Sequence, residues 1–519
     1  FRMNESEYSI AIRGMAARFP SSENLNEFWK NLKEAKNCIT RDNSADKLGY
    51  VGAYGKLNDI GCFDADFFNM TSVEAVDSDP EQRIMMELTY HALENAGYDS
   101  SRCERKTGIY TSFSNGVYVW NYIMQSGSDW YDKYEIYKAY LSTRCEKIAY
   151  KFGFEGPAIM SEYACASSLN TIHQACQSLL NYECDMALAG GVSVDMKQEG
   201  YPASLATTSS KGCMRPFDKN ADGLVPGSGA GIVVLRRYED AVNDHDNIIA
   251  VIKGTFVNND GNKKAGFAAP SVFGQTECLR SVLSVSDVES DDIDYYETHG
   301  TATELGDSIE LRAIKNVVGN RSNNNKLYIG SVKSNIGHTN MAAGVANVIK
   351  TALILRNRTI VPTVNFEHPC SELEDTAGHV CVASETVKFN KDKQMLAVCS
   401  AIGMGGANAM AVLGEPYEKT SRSKEDRLLS HLLIFSAKTK EALSEIAKET
   451  LECIKENSIR VDDAAFTLQK GRTDHKFRAY EIFGEGAENK LRRIRCFDNE
   501  NKKRIVFVLS GAGSFDRTI

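Results

Sequence analysis

The sequence predicts an α/β protein in which short buried strands alternate with amphipathic helices. Apolar segments such as Ala158–Met160 and Tyr295–Glu297 end in turns of small residues. Apolar residues at helical spacing follow, as at Leu169, Ile172 and Cys176. This alternation places helices on both faces of a sheet. A similar strand–helix series recurs from residue 248 onward and hints at an internal duplication.

Three stretches of different texture divide the chain. The predicted strands lie at 10–12, 158–160, 186–188, 248–252, 295–297, 327–331 and 432–436, and the helices at 79–96, 167–180, 275–283, 307–318, 340–355, 440–456 and 462–471. A polar, charged segment at 416–428 is typical of a linker. We therefore expect a large α/β domain at 8–415, a small α/β linker domain at 416–504, and a buried-type strand entering a glycine turn at 505–519.

Composition excludes several classes of protein. The 519 residues carry a net charge of -9, which disfavours nucleic acid as the main partner because phosphate binding needs a basic face. No run of 18 apolar residues is present, so we expect no membrane span. The 14 cysteines form no CxxC pair, so we expect no metal site, and unpatterned cysteines indicate a reduced, cytoplasmic protein.

One cysteine lies at a position that favours reactivity. Cys165 follows the strand Ala158–Met160 and stands at or just before the start of the helix at 167–180, among small residues. A helix N-terminus favours negative charge, and the thiolate is the nucleophilic form of cysteine. The alternative is a small buried hydrophobe, which is the ordinary role of a cysteine. Cys165 is thus a candidate nucleophile.

Two of the 9 histidines lie in loops that directly follow strands. His299 follows Tyr295–Glu297, and His338 follows the strand at 327–331, with Lys333 between them. Functional sites in α/β proteins lie at the carboxyl ends of the sheet strands. Either histidine alone would be an ordinary loop residue. Together with Cys165, they suit thioester chemistry in which neutral imidazole N–H groups stabilise an enolate oxygen.

The ordered motifs resemble the ketosynthase (β-ketoacyl synthase) domains of modular polyketide synthases. The resemblance covers most of 8–415, through IAIRGMAARFP, FDADFFNMTSVEAVDSDPEQR, YACASSL, ETHGTAT, VKSNIGHTNMAAG and IGMGGANA. It implies a thiolase-like, duplicated αβαβα fold. The segment AAFTLQKGRTDHKFRAYEIF is similar to the ketosynthase-to-acyltransferase linker, and RIVFVLSGAGSF looks like the first strand of a truncated acyltransferase.

The resemblance also implies roles for individual residues. Cys165 would be the acylated nucleophile, His299 and His338 the decarboxylation pair, and Lys333 their supporting lysine. Thr301, Thr303 and Asn335 would contact the substrate and its phosphopantetheine arm. The backbone N–H groups of Cys165 and Met404 would form the oxyanion hole.

The expected function is decarboxylative condensation of a Cys165-bound acyl chain with a malonyl-type extender. Phosphopantetheine would come from a partner acyl carrier protein, with no cofactor bound by the chain itself. Further expected partners are acyl and malonyl thioesters, a second copy in a homodimer, and an adjacent acyltransferase or other synthase domain, but no nucleic acid and no membrane.

Several alternatives are less well matched. A thiolase would use a second cysteine where this chain has His338, a chalcone-synthase-like enzyme would pair cysteine with histidine and asparagine, and a chain-length factor would lack Cys165. A non-elongating ketosynthase, which only transfers acyl groups, is the main alternative. Departures from the family pattern surround the site: Tyr163 replaces threonine, Ala302 glycine, Met404 phenylalanine and Met410 histidine.

Overall fold

The computed structural model describes most of the chain. It covers residues 8–46, 49–101, 103–104, 106–114, 118, 131, 141–203, 207–319, 321, 326–376, 378–390, 392–417, 430–456, 459–484 and 492–496. The chain divides into two compact units, Phe1–Ser421 and Arg422–Ile519. The expected strand at 505–519 lies outside the described residues.

Eleven strands among the described residues form one sheet in the first unit. They are β1 (Ile10–Arg18), β2 (Thr107–Phe113), β3 (Ala158–Met160), β4 (Met186–Ser193), β5 (Gly229–Arg237), β6 (Ala250–Asn259), β7 (Tyr295–Glu297), β8 (Leu327–Gly330), β9 (Val380–Val382), β10 (Leu396–Gly403) and β11 (Ala407–Gly414). Their order is β9-β8-β7-β10-β11-β6-β1-β5-β4-β2-β3. Most are buried along their whole length, which explains their continuous apolar sequences.

The sheet consists of two halves with the same topology. Outward from the central β1–β6 pair, one half runs β1-β5-β4-β2-β3, and the other runs β6-β11-β10-β7-β8 before β9. In both halves the first two pairings are antiparallel and the outer strands are parallel. The hint of an internal duplication is therefore confirmed by strand order. Equivalent strands β3 and β8 precede Cys165 and His338.

Helices cover the sheet in layers. Those in the described part of the first unit are α1 (Leu25–Lys33), α2 (Ser72–Asp77), α3 (Pro80–Asn95), α4 (Arg144–Phe152), α5 (Ser167–Leu180), α6 (Tyr238–Asn243), α7 (Val272–Val285), α8 (Glu304–Val318), α9 (Lys333–Ile336), α10 (Ala343–Asn357) and α11 (Ser371–Glu374). The helices α5 and α10 pack on each other and contact strands of both halves. On the outer faces, α3 packs on β1 and β5, and α7 on β6 and β11. These contacts confirm the thiolase-like αβαβα fold.

The predicted elements within the described residues are all present, and their ends differ for local reasons. The helix expected at 79–96 is α3, which begins after Asp79 because that side chain caps Glu81 N–H and Pro80 fits the first turn. The helix expected at 340–355 is instead a 3₁₀ turn, Asn340–Ala342, followed by α10. The strands β1 and β6 are several residues longer than predicted, because hydrogen-bonded neighbours continue past the apolar core of each.

The other elements seen in the described residues of the first unit are short. Two-residue strands pair as Thr40–Arg41 with Ala53–Tyr54, Tyr50–Val51 with Tyr201–Pro202, and Thr359–Ile360 with Val387–Lys388, and 3₁₀ turns occupy Asn43–Ala45 and Ser290–Asp292. A search of the described helices finds none with the length and apolarity to cross a bilayer.

The second unit is a small α/β domain. Its strands β12 (Ser430–Ala437), β13 (Phe477–Gly484) and β14 (Arg492–Cys496) form an antiparallel sheet. The helices α12 (Lys440–Glu456) and α13 (Val461–Lys470) contribute Leu443, Ala447 and Ala465 to its core.

Candidate active site

Cys165 lies in a tight turn between β3 and α5. Ala164 adopts a left-handed conformation with φ 49°, so the chain reverses sharply just before the cysteine. The Ser167 hydroxyl fixes the turn: it accepts the Tyr163 N–H at 2.7 Å and donates to the Ala164 carbonyl at 2.6 Å. The helix begins at Ser167 with Ala166 as its N-cap, which confirms the expected place of Cys165 just before the helix.

The hairpin between β10 and β11 contacts this turn directly. A Cβ on Gly403 would lie 2.4 Å from the Tyr163 carbonyl oxygen, so only glycine allows the two backbones to approach so closely. The approach brings the Met404 backbone N–H to the Cys165 thiol as a hydrogen-bond donor. The Cys165 backbone N–H also donates to this thiol. Both donors that were expected to form an oxyanion hole therefore point at the nucleophile.

His338 is held as a neutral donor. Its backbone is fixed between Val225 and Gly227, with its N–H donating to the Val225 carbonyl at 2.7 Å and its own carbonyl accepting the Gly227 N–H at 3.0 Å. Its Nδ1 accepts the Asn340 backbone N–H at 3.1 Å, which places the imidazole proton on Nε2. Burial lowers the pKa of His338 to about 3, with Lys333 adding to the effect.

His299 faces His338, with ring centroids 5.6 Å apart and planes at 84°. The carboxylate of Glu310, on α8, accepts the backbone N–H groups of His299 at 2.8 Å and Gly300 at 2.9 Å and the Ser400 hydroxyl at 2.8 Å. Burial lowers the pKa of His299 well below its ordinary value, and the charges of Lys333 and His338 act in the same direction. Both imidazoles are thus neutral at physiological pH.

Lys333 is the charged residue whose field lowers the pKa of Cys165. Its side chain is buried, and its Nζ has no hydrogen-bond partner among the described residues. Burial lowers the pKa of Lys333 to about 8, while the carboxylates of Glu297 and Glu310 oppose that effect. The lysine is therefore mostly cationic at neutral pH and acts on Cys165 through space.

The thiol of Cys165 is less acidic than its place at a helix start suggested. Burial raises the pKa of Cys165, and the Lys333 charge and the N–H donors of Met404 and Cys165 only partly offset that rise. A stabilised thiolate in the free protein is therefore not supported, because desolvation of the buried thiol exceeds the effects of the groups that lower its pKa. Lys333 becomes the group that most lowers the pKa of this thiol.

The expected substrate-side residues fall into two groups. Thr301 and Thr303 are partly exposed, with hydroxyl oxygens 3.1 Å apart. Asn335 is buried, and its amide donates to the Lys36 carbonyl at 3.0 Å. Its geometry therefore gives no support to a phosphopantetheine contact, because the side chain already joins α9 to the segment that follows α1.

The departures from the family pattern have different surroundings. Ala302 is buried and adopts φ 59°, a conformation that glycine reaches without strain. Tyr163 and Met404 are exposed, and Met404 has 68% of its surface accessible. Met410 is buried in β11, with its Sδ 3.7 Å from the Tyr296 hydroxyl, so it belongs to the core.

Sequence analysis missed Glu310 and Glu297. Both side chains are buried. Glu310 accepts the backbone N–H of His299, and Glu297 accepts that of Val332, the residue before Lys333. The available signal was an acidic residue on a face that the apolar pattern buries, as Glu310 is on α8. No group of three metal-ligating side chains suited to a metal ion occurs in the part of the chain that the structure describes.

The duplicated fold and the cysteine–histidine–histidine arrangement define a thiolase-fold acyltransferase. Family models match three consecutive stretches: the β-ketoacyl synthase N-terminal domain at 7–241, its C-terminal domain at 249–367, and the ketoacyl-synthetase C-terminal extension at 371–482. The chain belongs to the β-ketoacyl synthase family, in the branch of polyketide synthase ketosynthases.

Curated relatives and solved structures agree with this assignment. A phenolphthiocerol/phthiocerol polyketide synthase from Mycobacterium tuberculosis is 36% identical over 99% of this chain and 38% of its own length. Polyketide synthase PksL of Bacillus subtilis is 37% identical over 91% of this chain and 11% of its own. The chain thus spans well under half of these relatives.

Two solved structures of bacillaene synthase ketosynthases show the same fold. Ketosynthase twelve from Bacillus amyloliquefaciens superposes with a TM-score of 0.84 at 31% identity, covering 92% of this chain and 86% of its own. The module 6 ketosynthase from Bacillus subtilis 168 gives a TM-score of 0.80 at 35% identity, covering 92% and 82%.

Proposed function

We propose that this ketosynthase elongates acyl chains by decarboxylative condensation. The Cys165 thiolate attacks an acyl thioester, the new carbon–sulfur bond forms, and the carrier thiol leaves. The N–H groups of Met404 and Cys165 stabilise the oxyanion of this step. The observation that carries the proposal is the pair of buried, neutral imidazoles, His299 and His338, which face each other and share the field of Lys333 with Cys165.

The second half-reaction requires those imidazoles. Loss of carbon dioxide from a malonyl-type thioester leaves an electron pair on carbon and negative charge on the thioester oxygen. Neutral N–H donors stabilise that oxygen without giving up a proton. The enolate carbon then attacks the acyl group on Cys165, a carbon–carbon bond forms, and the thiolate leaves. A site used only for acyl transfer has no need of these two donors.

The partners follow from the same chemistry. Acyl and malonyl groups would arrive on the phosphopantetheine arm of an acyl carrier protein, and the partly exposed Thr301 and Thr303 would contact that arm. The similarity to segments of long synthases supports work beside an acyltransferase or other synthase domain. The edge strand β3, with Ile159 38% exposed, supports pairing with a second copy.

The test separates elongation from transfer. Cys165 is loaded from an acyl thioester, malonyl–carrier protein is added, and carbon dioxide and β-ketoacyl product are measured, with Cys165→Ala as the control. Elongation predicts both products. A protein that is acylated on Cys165 but releases no carbon dioxide with malonyl or methylmalonyl carriers would instead be a transacylating ketosynthase.

A further inference from the structure

A buried ion pair lies close to the active-site residues but takes no direct part in the reaction described above. Glu297 ends β7, two residues before His299, and Lys350 lies on α10. Lys350 Nζ is 2.7 Å from Glu297 Oε2, and both side chains are fully buried. The Tyr295 hydroxyl donates to the same oxygen. A buried pair of this kind is costly to form, so its retention calls for a reason.

The pair is connected to Lys333 by backbone and by charge. The other carboxylate oxygen, Glu297 Oε1, accepts the Val332 backbone N–H at 2.6 Å, one residue before Lys333. Because Lys333 Nζ has no hydrogen-bond partner among the described residues, its protonation depends on the field around it. Glu297 favours the ammonium form, and Lys350 disfavours it.

The charged and titratable groups that face Lys333 come from several elements. They are Glu297, Glu310, Cys165, Lys350, His299 and His338, while Tyr295 and Cys399 face Glu297. With both imidazoles neutral, the positive charges of the two lysines equal the negative charges of the two glutamates. A thiolate at Cys165 then adds one negative charge to a neutral cluster, which is less costly than adding it to an anionic one.

We propose that the balance of charge between Glu297 and Lys350 keeps Lys333 protonated, and thereby sets the pH range over which Cys165 is nucleophilic. Both residues are positioning residues, because they act on Cys165 through Lys333. The inference rests on the proposed role of Cys165 as the acyl-accepting nucleophile, but it makes no use of the condensation step.

The test uses Glu297→Gln, which removes the charge and keeps an oxygen for the Val332 N–H. Iodoacetamide alkylates Cys165 by forming a carbon–sulfur bond and releasing iodide, and only the thiolate reacts. The rate is followed by intact-protein mass and peptide mapping from pH 6 to 10. Loss of the anion leaves Lys350 unbalanced, favours neutral Lys333, and so disfavours the thiolate. The pH midpoint of the alkylation rate should rise by about one unit, which lowers the alkylation rate at pH 7 about tenfold.

The double variant Glu297→Gln/Lys350→Met decides between charge balance and structural damage. Charge balance predicts that removing both charges brings the midpoint back toward the native value, because Lys350 opposes Glu297 at Lys333. Damage to packing predicts a double variant at least as far displaced as the single one. Lys147→Met, which removes a lysine paired with Glu74 at 3.8 Å outside the site, should leave the midpoint unchanged.

The outcomes are distinct. No shift in Glu297→Gln, or a double variant at least as far displaced as the single one, overturns the inference. So does a Glu297→Gln protein that fails to fold while the double variant folds with a midpoint displaced by about one pH unit or more. A native protein that alkylates with the expected profile but never elongates leaves this inference standing and removes the proposed function.

Discussion

Replacing His338 by alanine separates the two half-reactions. The native Nε2–H is a single preorganised donor, because Nδ1 already accepts the Asn340 N–H at 3.1 Å. Removal of one such donor costs about 2.7–4 kcal/mol, or about a hundred- to thousandfold in rate. The side chain is buried, so water does not readily take its place. Decarboxylation should fall by that factor, while acylation should persist because it uses the N–H groups of Met404 and Cys165.

The assay measures both steps on one protein. Carbon dioxide release from malonyl–carrier protein reports decarboxylation, and the mass of the acylated protein reports loading. His338→Gln serves as the matched control because its amide retains an N–H donor, and its rate should lie between the native and alanine values. An equal loss of both activities in His338→Ala, or decarboxylation within tenfold of the native rate, would refute this reasoning.

The pH dependence gives a second check on His338. Burial lowers its pKa to about 3, so the imidazole stays neutral as the pH falls from 8 to 5. An imidazole with an ordinary pKa near 6.5 would become cationic over this range and change the stabilisation of the enolate. The ratio of native to His338→Gln decarboxylation rates should therefore be constant from pH 5.5 to 7.5. A ratio that changes through pH 6.5 would show that His338 titrates there.

Three further predictions concern the nucleophile, its turn and the contact between copies. Cys165→Ala should abolish acyl loading in peptide mapping, while the exposed Cys62 stays unlabelled in both proteins; label retained by the variant contradicts the assignment. Ala164→Val places a β-branched residue at φ 49° and should slow acylation at least about tenfold, with Ala164→Gly near the native rate. Light scattering should give a dimer mass that Ile159→Lys reduces to a monomer; a native monomer at micromolar concentration excludes the proposed pairing.

The local features of the site were predictable because they depend on neighbouring residues. The small residues around Cys165 and the apolar spacing after them located the helix. As predicted, α5 begins at Ser167, directly after the turn of small residues. The strand before His299 was predicted with the bounds it has as β7. In each case the hydrophobic period and the turn residues determine the local structure.

The sequence by itself thus determined the strand–helix alternation and the candidates Cys165, His299 and His338. Only the tertiary structure decided how these candidates act. The neutral state of the imidazoles, the raised pKa of the thiol and the Glu297–Lys350 pair arise from burial and from contacts between residues far apart in the chain. Electrostatic free energies depend on distance and on exclusion of water, and a linear sequence contains neither quantity.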